Sequence, residues 1–217
     1  MSDYATLRRV MVDTQVRPSD VTKFPIIQAM LTVPREAFLP SDKAEVAYIS
    51  EPIDIAPDRT VLAARTFAKM IDALNVTNDM LVLDIGCGYG YSAAVLARIA
   101  EAVVAVEEDA DLAAEAPGIL SETGADNVVL HEGPLTNGAP EHGPYDAIIL
   151  EGGIEELPDG IDAQLKEGGR IACLFVEGRL GTVRIGYKID GHLNWRYAFN
   201  ASAPVLPGFA KTRAFAL

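Results

Sequence analysis

The amino-acid sequence predicts an α/β fold with a mostly parallel sheet. A strand, a glycine-rich loop and a helix follow one another in residues 80–99, further apolar runs come after helical segments, and residues 182–199 carry a hairpin signal. Strands that alternate with helices are typical of a sheet covered on both faces. The 217 residues, of which 49% are hydrophobic, are enough for one such core, so we expect a single domain.

The most informative stretch is residues 81–97, LVLDIGCGYGYSAAVLA. Its apolar strand is interrupted only by an aspartate and is followed by three glycines at alternate positions. Glycines permit positive φ and let backbone N–H groups come close to a ligand, and the helix that follows offers further unpaired N–H groups. The candidate ligand-binding residues of this loop are Asp84, Gly86, Cys87, Gly88 and Gly90.

The glycine spacing separates two classes of ligand. The dinucleotide pattern G-x-G-x-x-G would require a third glycine at the position of Tyr91, whereas the chain has D-x-G-x-G-x-G. A second acid, Glu107, ends the apolar strand at residues 102–106, about 20 residues past the loop, where an acid commonly holds ribose hydroxyls. Glu151 follows the strand at residues 145–150, so it too should lie at the ligand-binding edge.

Further helices and strands are predicted before and after this strand, loop and helix. Residues 1–75 are predicted to form a helical and loop-rich extension, with helices at 4–16, 24–31 and 60–74 and an irregular segment at 41–58. Residues 76–217 should form the core, with a helix at 109–122 that Pro117 breaks or kinks. Further strands are expected at 128–130 and 170–176, a short helix at 157–165, and a hairpin around Asp190-Gly191.

The amino-acid composition limits the classes of molecule that the protein is expected to bind. The net charge is −13, with 18 basic against 31 acidic residues and no basic run longer than Arg8-Arg9, which disfavours nucleic acid. No uninterrupted apolar run is long enough to cross a membrane, and the first residues lack a secretory signal, so we expect a cytoplasmic protein. Two cysteines and three widely spaced histidines predict neither a disulfide framework nor a metal site.

Several segments together resemble one family. They are VPREAF at 33–38, residues 82–97, AVE at 105–107, YDAII at 145–149 and LKEGGR at 165–170. The D-x-G-x-G-x-G loop is similar to motif I of the class I S-adenosylmethionine-dependent methyltransferases. The order and spacing of all five segments are similar to those of the protein-L-isoaspartate (D-aspartate) O-methyltransferases, and VPREAF is the most particular of them.

The resemblance implies a Rossmann-like fold of seven strands with one reversed. It implies S-adenosylmethionine as the cofactor, with Asp84 near the methionine ammonium and the glycines beside the ribose and amino-acid portions. The implied reaction is protein repair, in which the abnormal carboxylate of an isoaspartyl residue is esterified. Such a carboxylate is already ionised at neutral pH, so the reaction needs alignment more than a general base.

Two positions depart from the family pattern. Where the family has a T-I-S segment whose serine contacts the acceptor, this chain has Thr60-Val61-Leu62, so Thr60 and Leu62 mark the position expected to face the acceptor. Where the family has G-D-G, with the aspartate near adenine, this chain has Gly133-Pro134-Leu135. Another group, such as Glu132, would then have to hold adenine.

These departures leave two alternatives open. An apolar Leu62 favours a methyltransferase with a different small-molecule or protein acceptor. Leu62 and Pro134 together favour a non-catalytic homologue that keeps the fold, since fold does not fix function. The sequence leaves the oligomeric state open as well.

Overall fold

The computed structural model describes residues 3–178 and 180–211. The strands in these ranges are β1 (Ile53–Ala56), β2 (Arg59–Val61), β3 (Leu81–Ile85), β4 (Ala102–Glu107), β5 (Val128–Glu132), β6 (Tyr145–Ile154), β7 (Leu165–Glu177), β8 (Leu180–Ile189) and β9 (His192–Asn200). The α-helices are α1 (Tyr4–Met11), α2 (Phe24–Thr32), α3 (Ala64–Leu74), α4 (Tyr91–Ala97), α5 (Ala110–Glu122) and α6 (Asp159–Ala163). None of these helices is both long and apolar enough to span a membrane.

The central sheet has seven strands in the order β5-β4-β3-β6-β7-β8-β9. The first five run parallel, and β8 runs antiparallel to both of its neighbours. The predicted sheet with one reversed strand and a terminal hairpin is therefore confirmed. Strand β3 lies between β4 and β6, so the carboxyl ends of these three strands meet at one edge.

Apolar layers cover both faces of this sheet. On one face, Val82, Val103 and Ala147 pack with residues of α1 to α5, and on the other, Leu83, Val104 and Ile148 pack with the segment that includes Leu206 and Phe209. A strand buried on both faces reads as a continuous apolar run, which explains why β3 was recognisable from sequence.

The segment before α3 differs from the prediction. Residues 53–61 form an antiparallel hairpin, β1–β2, instead of an irregular loop followed by a helix start at Thr60. Val61 pairs with Ile53 and Thr60 with Asp54, while Asp58 takes a left-handed φ of 55° in the turn. The β-branched residues Thr60 and Val61 favour a strand, so α3 begins only at Ala64.

Other elements also differ in extent, and β7 begins at Leu165, at the end of the predicted short helix and before the predicted strand start at residue 170. Helix α5 continues through Pro117 and is not broken there, with Asp109 capping its N-terminus through the N–H groups of Asp111 and Leu112. Strand β6 runs past Leu150 to Ile154. It is prolonged because Gly153 exchanges backbone hydrogen bonds with Pro204 and Leu206, both 2.8 Å long.

The arginine of the VPREAF segment joins the N-terminal region to the core. Arg35 is fully buried and donates from Nε to the Ala47 carbonyl at 2.7 Å and from Nη2 to the Leu62 carbonyl at 2.8 Å. Its guanidinium also lies over the ring of Tyr91, 4.7 Å from the centroid. One side chain thus fixes two loops against the first residue of α4.

Replacing Arg35 with leucine should lower the free energy of unfolding by about 2–4 kcal/mol, because two buried carbonyls lose charged donors. Urea denaturation measures this change. The matched control, Arg65→Leu, alters an exposed arginine on α3 and should change stability by less than about 0.5 kcal/mol. Equal effects of the two substitutions would contradict the role given to Arg35.

Candidate cofactor site

Three buried acids lie on neighbouring strands at the ligand-binding edge. Asp84 is in β3, Glu107 is the last residue of β4, and Glu151 lies inside β6, each at most 5% exposed. The parallel order β4-β3-β6 brings the carboxyl ends of these strands together. Residues that are far apart in sequence therefore share one edge of the sheet.

The loop between β3 and α4 has the backbone conformation that its glycines permit. Gly86, Gly88 and Gly90 have φ values of 86°, 59° and 96°, in the left-handed region that favours glycine. The N–H groups of Gly86 and Cys87 donate to the Val106 carbonyl at 2.9 and 3.3 Å. The loop is thereby fixed to the end of β4.

Asp84 is held as a partly neutral carboxyl. Burial raises its pKa to about 7, and the charge of Glu107 adds to the increase, whereas the Ser92 hydroxyl and Arg59 oppose it. Ser92 Oγ donates to Asp84 Oδ2 at 2.6 Å, but Asp84 Oδ1 has no partner among the described residues. A free buried acceptor oxygen is therefore available to a positively charged ligand group.

Glu151 has a similar environment. Its pKa is well above the usual range, first because the carboxyl is buried and next because Asp84 is close. Glu151 Oε1 also lacks a hydrogen-bond partner within the described ranges. Both carboxyls have raised pKa values, so a bound cation would stabilise each of them in the ionised form.

Glu107, by contrast, is saturated with donors. Arg59 forms a two-pronged ion pair with it, at 2.8 Å from Nη1 to Oε1 and 2.5 Å from Nη2 to Oε2. The N–H of Gly88 donates to Oε2 at 2.7 Å, and those of Glu108 and Asp109 donate to Oε1 at 3.0 Å each. Arg59 was not among the predicted site residues, because the hairpin that places it there was not predicted.

Side chains of the protein itself cover the glycine loop. A Cβ placed on Gly86 would lie 3.3 Å from Arg59 Nη2 and 3.5 Å from Leu206 Cδ2, and one on Gly88 would collide with Ile55 Cδ1. Ile55 and Arg59 belong to the β1–β2 hairpin. The sequence predicts that the glycine loop faces a ligand. In the structure, the side chains of Ile55, Arg59 and Leu206 lie against this loop.

A cavity of about 480 Å³ opens beside Arg59, between the ends of β4 and β5. Its wall includes Glu108, Asp109, Glu132 and Pro134. The size is within the range of small-molecule sites. Proline supplies no N–H, so this part of the wall offers mainly carboxylate acceptors.

The backbone donors next to Pro134 are already engaged. Gly133 N–H donates to the Glu107 carbonyl at 3.0 Å, and Leu135 N–H donates to the Glu108 carboxylate at 3.1 Å. Groups that accept hydrogen bonds would find few donors here, whereas an amino group would find carboxylates. Glu132, which the sequence suggested as a substitute for the family aspartate, does line this cavity.

The two residues predicted to face the acceptor differ in their surroundings. Thr60 is 5% exposed, and its Oγ1 has no partner among the described residues. Leu62 is fully buried in the apolar core, and its carbonyl accepts from Arg35. Thr60 thus has free hydrogen-bonding capacity, whereas Leu62 contributes packing.

Cys87 is buried and its thiol pKa is raised well above the usual range by burial, which keeps it unreactive.

Sequence spacing did not show that two histidines meet. The possible ligand atoms of His131, Glu141 and His142 all lie within 4.8 Å of one another, with His131 Nδ1 3.1 Å from Glu141 Oε1. His131 is partly exposed, and the other two residues are exposed. The cluster adjoins Gly133 at the end of β5, since His131 Nε2 would lie 3.0 Å from a Cβ there.

The strand order, the glycine loop and the acid at the end of β4 define a class I S-adenosylmethionine-dependent methyltransferase. The unpartnered oxygens of Asp84 and Glu151 suit the cationic groups of that cofactor. A family model described as protein-L-isoaspartate (D-aspartate) O-methyltransferase matches residues 9–184, and the chain belongs to this family.

Individual relatives agree with this assignment. The chain is 40% identical over 164 residues to a protein-L-isoaspartate O-methyltransferase of Opitutus terrae, covering 76% of this chain and 70% of the relative. It is 41% identical over 161 residues to one of Rhodopseudomonas palustris, covering 74% of each.

Solved structures extend the similarity to the whole fold. A protein-L-isoaspartate O-methyltransferase structure superposes with a TM-score of 0.80 at 27% identity, covering 94% of this chain and 65% of the other. A putative family member from Plasmodium falciparum, in complex with S-adenosyl-L-homocysteine, superposes with a TM-score of 0.79 at 19% identity over 95% of this chain and 99% of the other. The second match shows the fold alone.

The raised pKa of Asp84 predicts a stability that depends on pH. Between an unfolded pKa near 3.9 and the folded value of about 7, only the folded state keeps the proton, so stability falls as pH rises through this window. Above it, ionised Asp84 destabilises the ligand-free protein. Asp84→Asn should then be more stable than the native chain at pH 8, by about 1–3 kcal/mol, with a smaller difference at pH 5.

Urea denaturation at the two pH values, without cofactor, measures this difference. Asp126→Asn, which alters an exposed aspartate, is the control and should leave the pH dependence unchanged. A native chain more stable than Asp84→Asn at pH 8 would show that Asp84 does not carry this cost.

Proposed function

We propose that this chain transfers the methyl group of S-adenosylmethionine to the carboxylate of isoaspartyl residues in damaged proteins. The observation that carries the proposal is the pair of buried carboxyls, Asp84 and Glu151, each with an oxygen that lacks a partner in the described chain. Family membership supports the reaction class, and the curated relatives bear the name of that activity.

The cofactor would lie along the edge where β3, β4 and β6 end. Asp84 and Glu151 would face its ammonium and sulfonium groups, whose positive charges favour ionised carboxylates. Glu107 would accept from the ribose hydroxyls, and Glu132 from the adenine amino group. The backbone of the glycine loop would follow the ribose and amino-acid portions, with contacts at Gly86, Cys87, Gly88 and Gly90. When bound, the cofactor supplies the activated methyl group.

The acceptor would approach from the side of the β1–β2 hairpin. Its carboxylate is ionised at neutral pH and needs no proton removed, so the protein contributes proximity and orientation. Thr60 Oγ1, which has no partner among the described residues, is suited to donate to an acceptor oxygen. Leu62 would act indirectly, because it is buried in the apolar core and its carbonyl is held by Arg35.

The direct test is methyl transfer to a peptide that contains one isoaspartyl residue. With radiolabelled cofactor, the purified protein should methylate this peptide and leave its aspartyl isomer unmodified, because only the isomerised carboxylate would reach the methyl group. Equal labelling of both peptides would contradict isoaspartyl specificity. Labelling of neither would contradict the proposed acceptor.

A different acceptor is the second candidate, and the burial of Leu62 in place of a hydroxyl favours it. A site that lacks a hydrogen-bonding group loses discrimination for a polar substrate. Small carboxylates, phenols and amines offered with labelled cofactor would identify such an acceptor. A labelled product in this screen, together with inert isoaspartyl peptide, would move this candidate to first place.

Thr60→Val removes the hydroxyl and keeps the side-chain shape. If Thr60 donates to the acceptor carboxylate, kcat/KM for the isoaspartyl peptide should fall about 10- to 100-fold, the effect of one charge-assisted hydrogen bond. Affinity for S-adenosylhomocysteine should stay the same. Thr60→Ser, which retains the hydroxyl, should keep most of the activity, and a serine variant as poor as the valine variant would point to packing instead.

The proposed partners are proteins or peptides with damaged aspartyl residues. An acidic chain with net charge −13 is poorly suited to polyphosphate backbones, so nucleic acid is not proposed as a substrate. Both cysteines are buried and free, which is compatible with a reducing compartment, and we propose the cytoplasm as the site of action.

A further inference from the structure

The ion pair between Arg59 and Glu107 has a consequence for cofactor binding. An ionised carboxylate offers about four lone-pair positions, and Glu107 already accepts from two guanidinium nitrogens and three backbone N–H groups. Two ribose hydroxyls would also need to donate to this carboxylate. The existing donors and the ribose therefore compete for the same oxygens.

Of these donors, Arg59 is the one that can leave. The N–H groups of Gly88, Glu108 and Asp109 belong to backbone that is fixed by the loop and by the start of α5. The Arg59 side chain is long, its Nε has no partner among the described residues, and it lines the 480 Å³ cavity. Its guanidinium could move into this space while the sheet stays unchanged.

We propose that Arg59 is an internal competitor for the ribose subsite and so determines how tightly the cofactor binds. The guanidinium presents two parallel N–H donors to the two Glu107 oxygens, in the same paired arrangement that two ribose hydroxyls would need. Cofactor then binds only after the guanidinium leaves Glu107. This inference depends on the cofactor placement proposed above.

The hairpin that bears Arg59 determines where the guanidinium lies. Strands β1 and β2 pair with each other in a separate two-stranded sheet. Ile55 of β1 covers Gly88 while Arg59 of β2 lies against Gly86, so the hairpin covers both the loop and the carboxylate. Ile53 and Val61 anchor the hairpin in the apolar core, so the exchange needs movement of the Arg59 side chain and leaves the hairpin backbone in place.

Charge compensation also favours the exchange. Arg59 is 3% exposed beside three buried acids, two of which have raised pKa values. A buried carboxylate that loses its cation without replacement is strongly destabilised. Arg59 also lowers the pKa values of Asp84 and Glu151, and the ammonium and sulfonium groups of the cofactor would bring positive charge to these two acids, while the ribose hydroxyls would donate to Glu107.

Calorimetric titration with S-adenosylhomocysteine tests this proposal. If the guanidinium blocks the ribose subsite most of the time, apparent affinity is reduced by the fraction of molecules that are open. Arg59→Ala should therefore bind at least about tenfold more tightly than the native chain, and Arg59→Lys, which keeps a cation but loses the fork, should lie between them. Arg184→Ala, which removes a partly exposed arginine paired with Glu177, is the matched control and should bind like the native chain.

The outcomes separate this proposal from the one on which it depends. Equal or weaker binding by Arg59→Ala, with measurable binding by the native chain, would overturn the competition and leave the cofactor site in place. Absence of binding by the native chain and by both Arg59 variants would overturn the cofactor site as well. If Arg59→Ala does not fold, Arg59→Lys decides, because binding no tighter than that of the native chain would exclude competition.

Discussion

The carboxylate of Glu107 holds the site together. It ends β4, accepts from the glycine loop through Gly88 N–H, accepts from the backbone leading into α5, and fixes the β1–β2 hairpin through Arg59. Four segments separated by up to 48 residues thus converge on one side chain. The cofactor site and the packing of the hairpin depend on the same buried interaction, so a ligand at Glu107 must change both.

The other two acids lower the stability of the ligand-free protein. Asp84 and Glu151 are buried, close to each other, and short of hydrogen-bond partners in the described chain. Ionised groups in this environment oppose folding, and their raised pKa values express that cost. A cationic ligand would remove it, so the instability of the ligand-free site and its affinity for the cofactor have one physical origin. Buried hydrogen bonds away from the site, such as those of Arg35 to two carbonyls, stabilise the fold.

Local patterns were sufficient to predict the centre of the molecule. The β3 strand, the glycine loop, helix α4 and Glu107 lie in one continuous stretch, and their apolar run and glycine spacing leave few alternatives. The parallel sheet with one reversed strand also followed from the order of apolar runs and from the Asp190-Gly191 turn. These features depend on short-range chemistry, which a single sequence displays.

The cover of the site could not be predicted, because it consists of contacts between distant segments. The position of Arg59 depends on a hairpin whose turn uses Asp58 in a left-handed conformation, and its Glu107 partner is 48 residues away. Leu206 reaches Gly86 only because residues 204–206 pair with Gly153 and prolong β6. His131 and His142 likewise come together only because the folded chain places the segment before β6 beside β5. None of these contacts leaves a periodic pattern.

A crystal structure of the protein with S-adenosylhomocysteine would show whether the cofactor and Arg59 compete for Glu107. We expect ribose hydroxyls within hydrogen-bonding distance of the Glu107 oxygens, the ligand ammonium beside Asp84 or Glu151, and the Arg59 guanidinium displaced from Glu107. A ligand bound elsewhere, or one bound at this edge while the ion pair of Arg59 with Glu107 stays intact, would contradict this expectation.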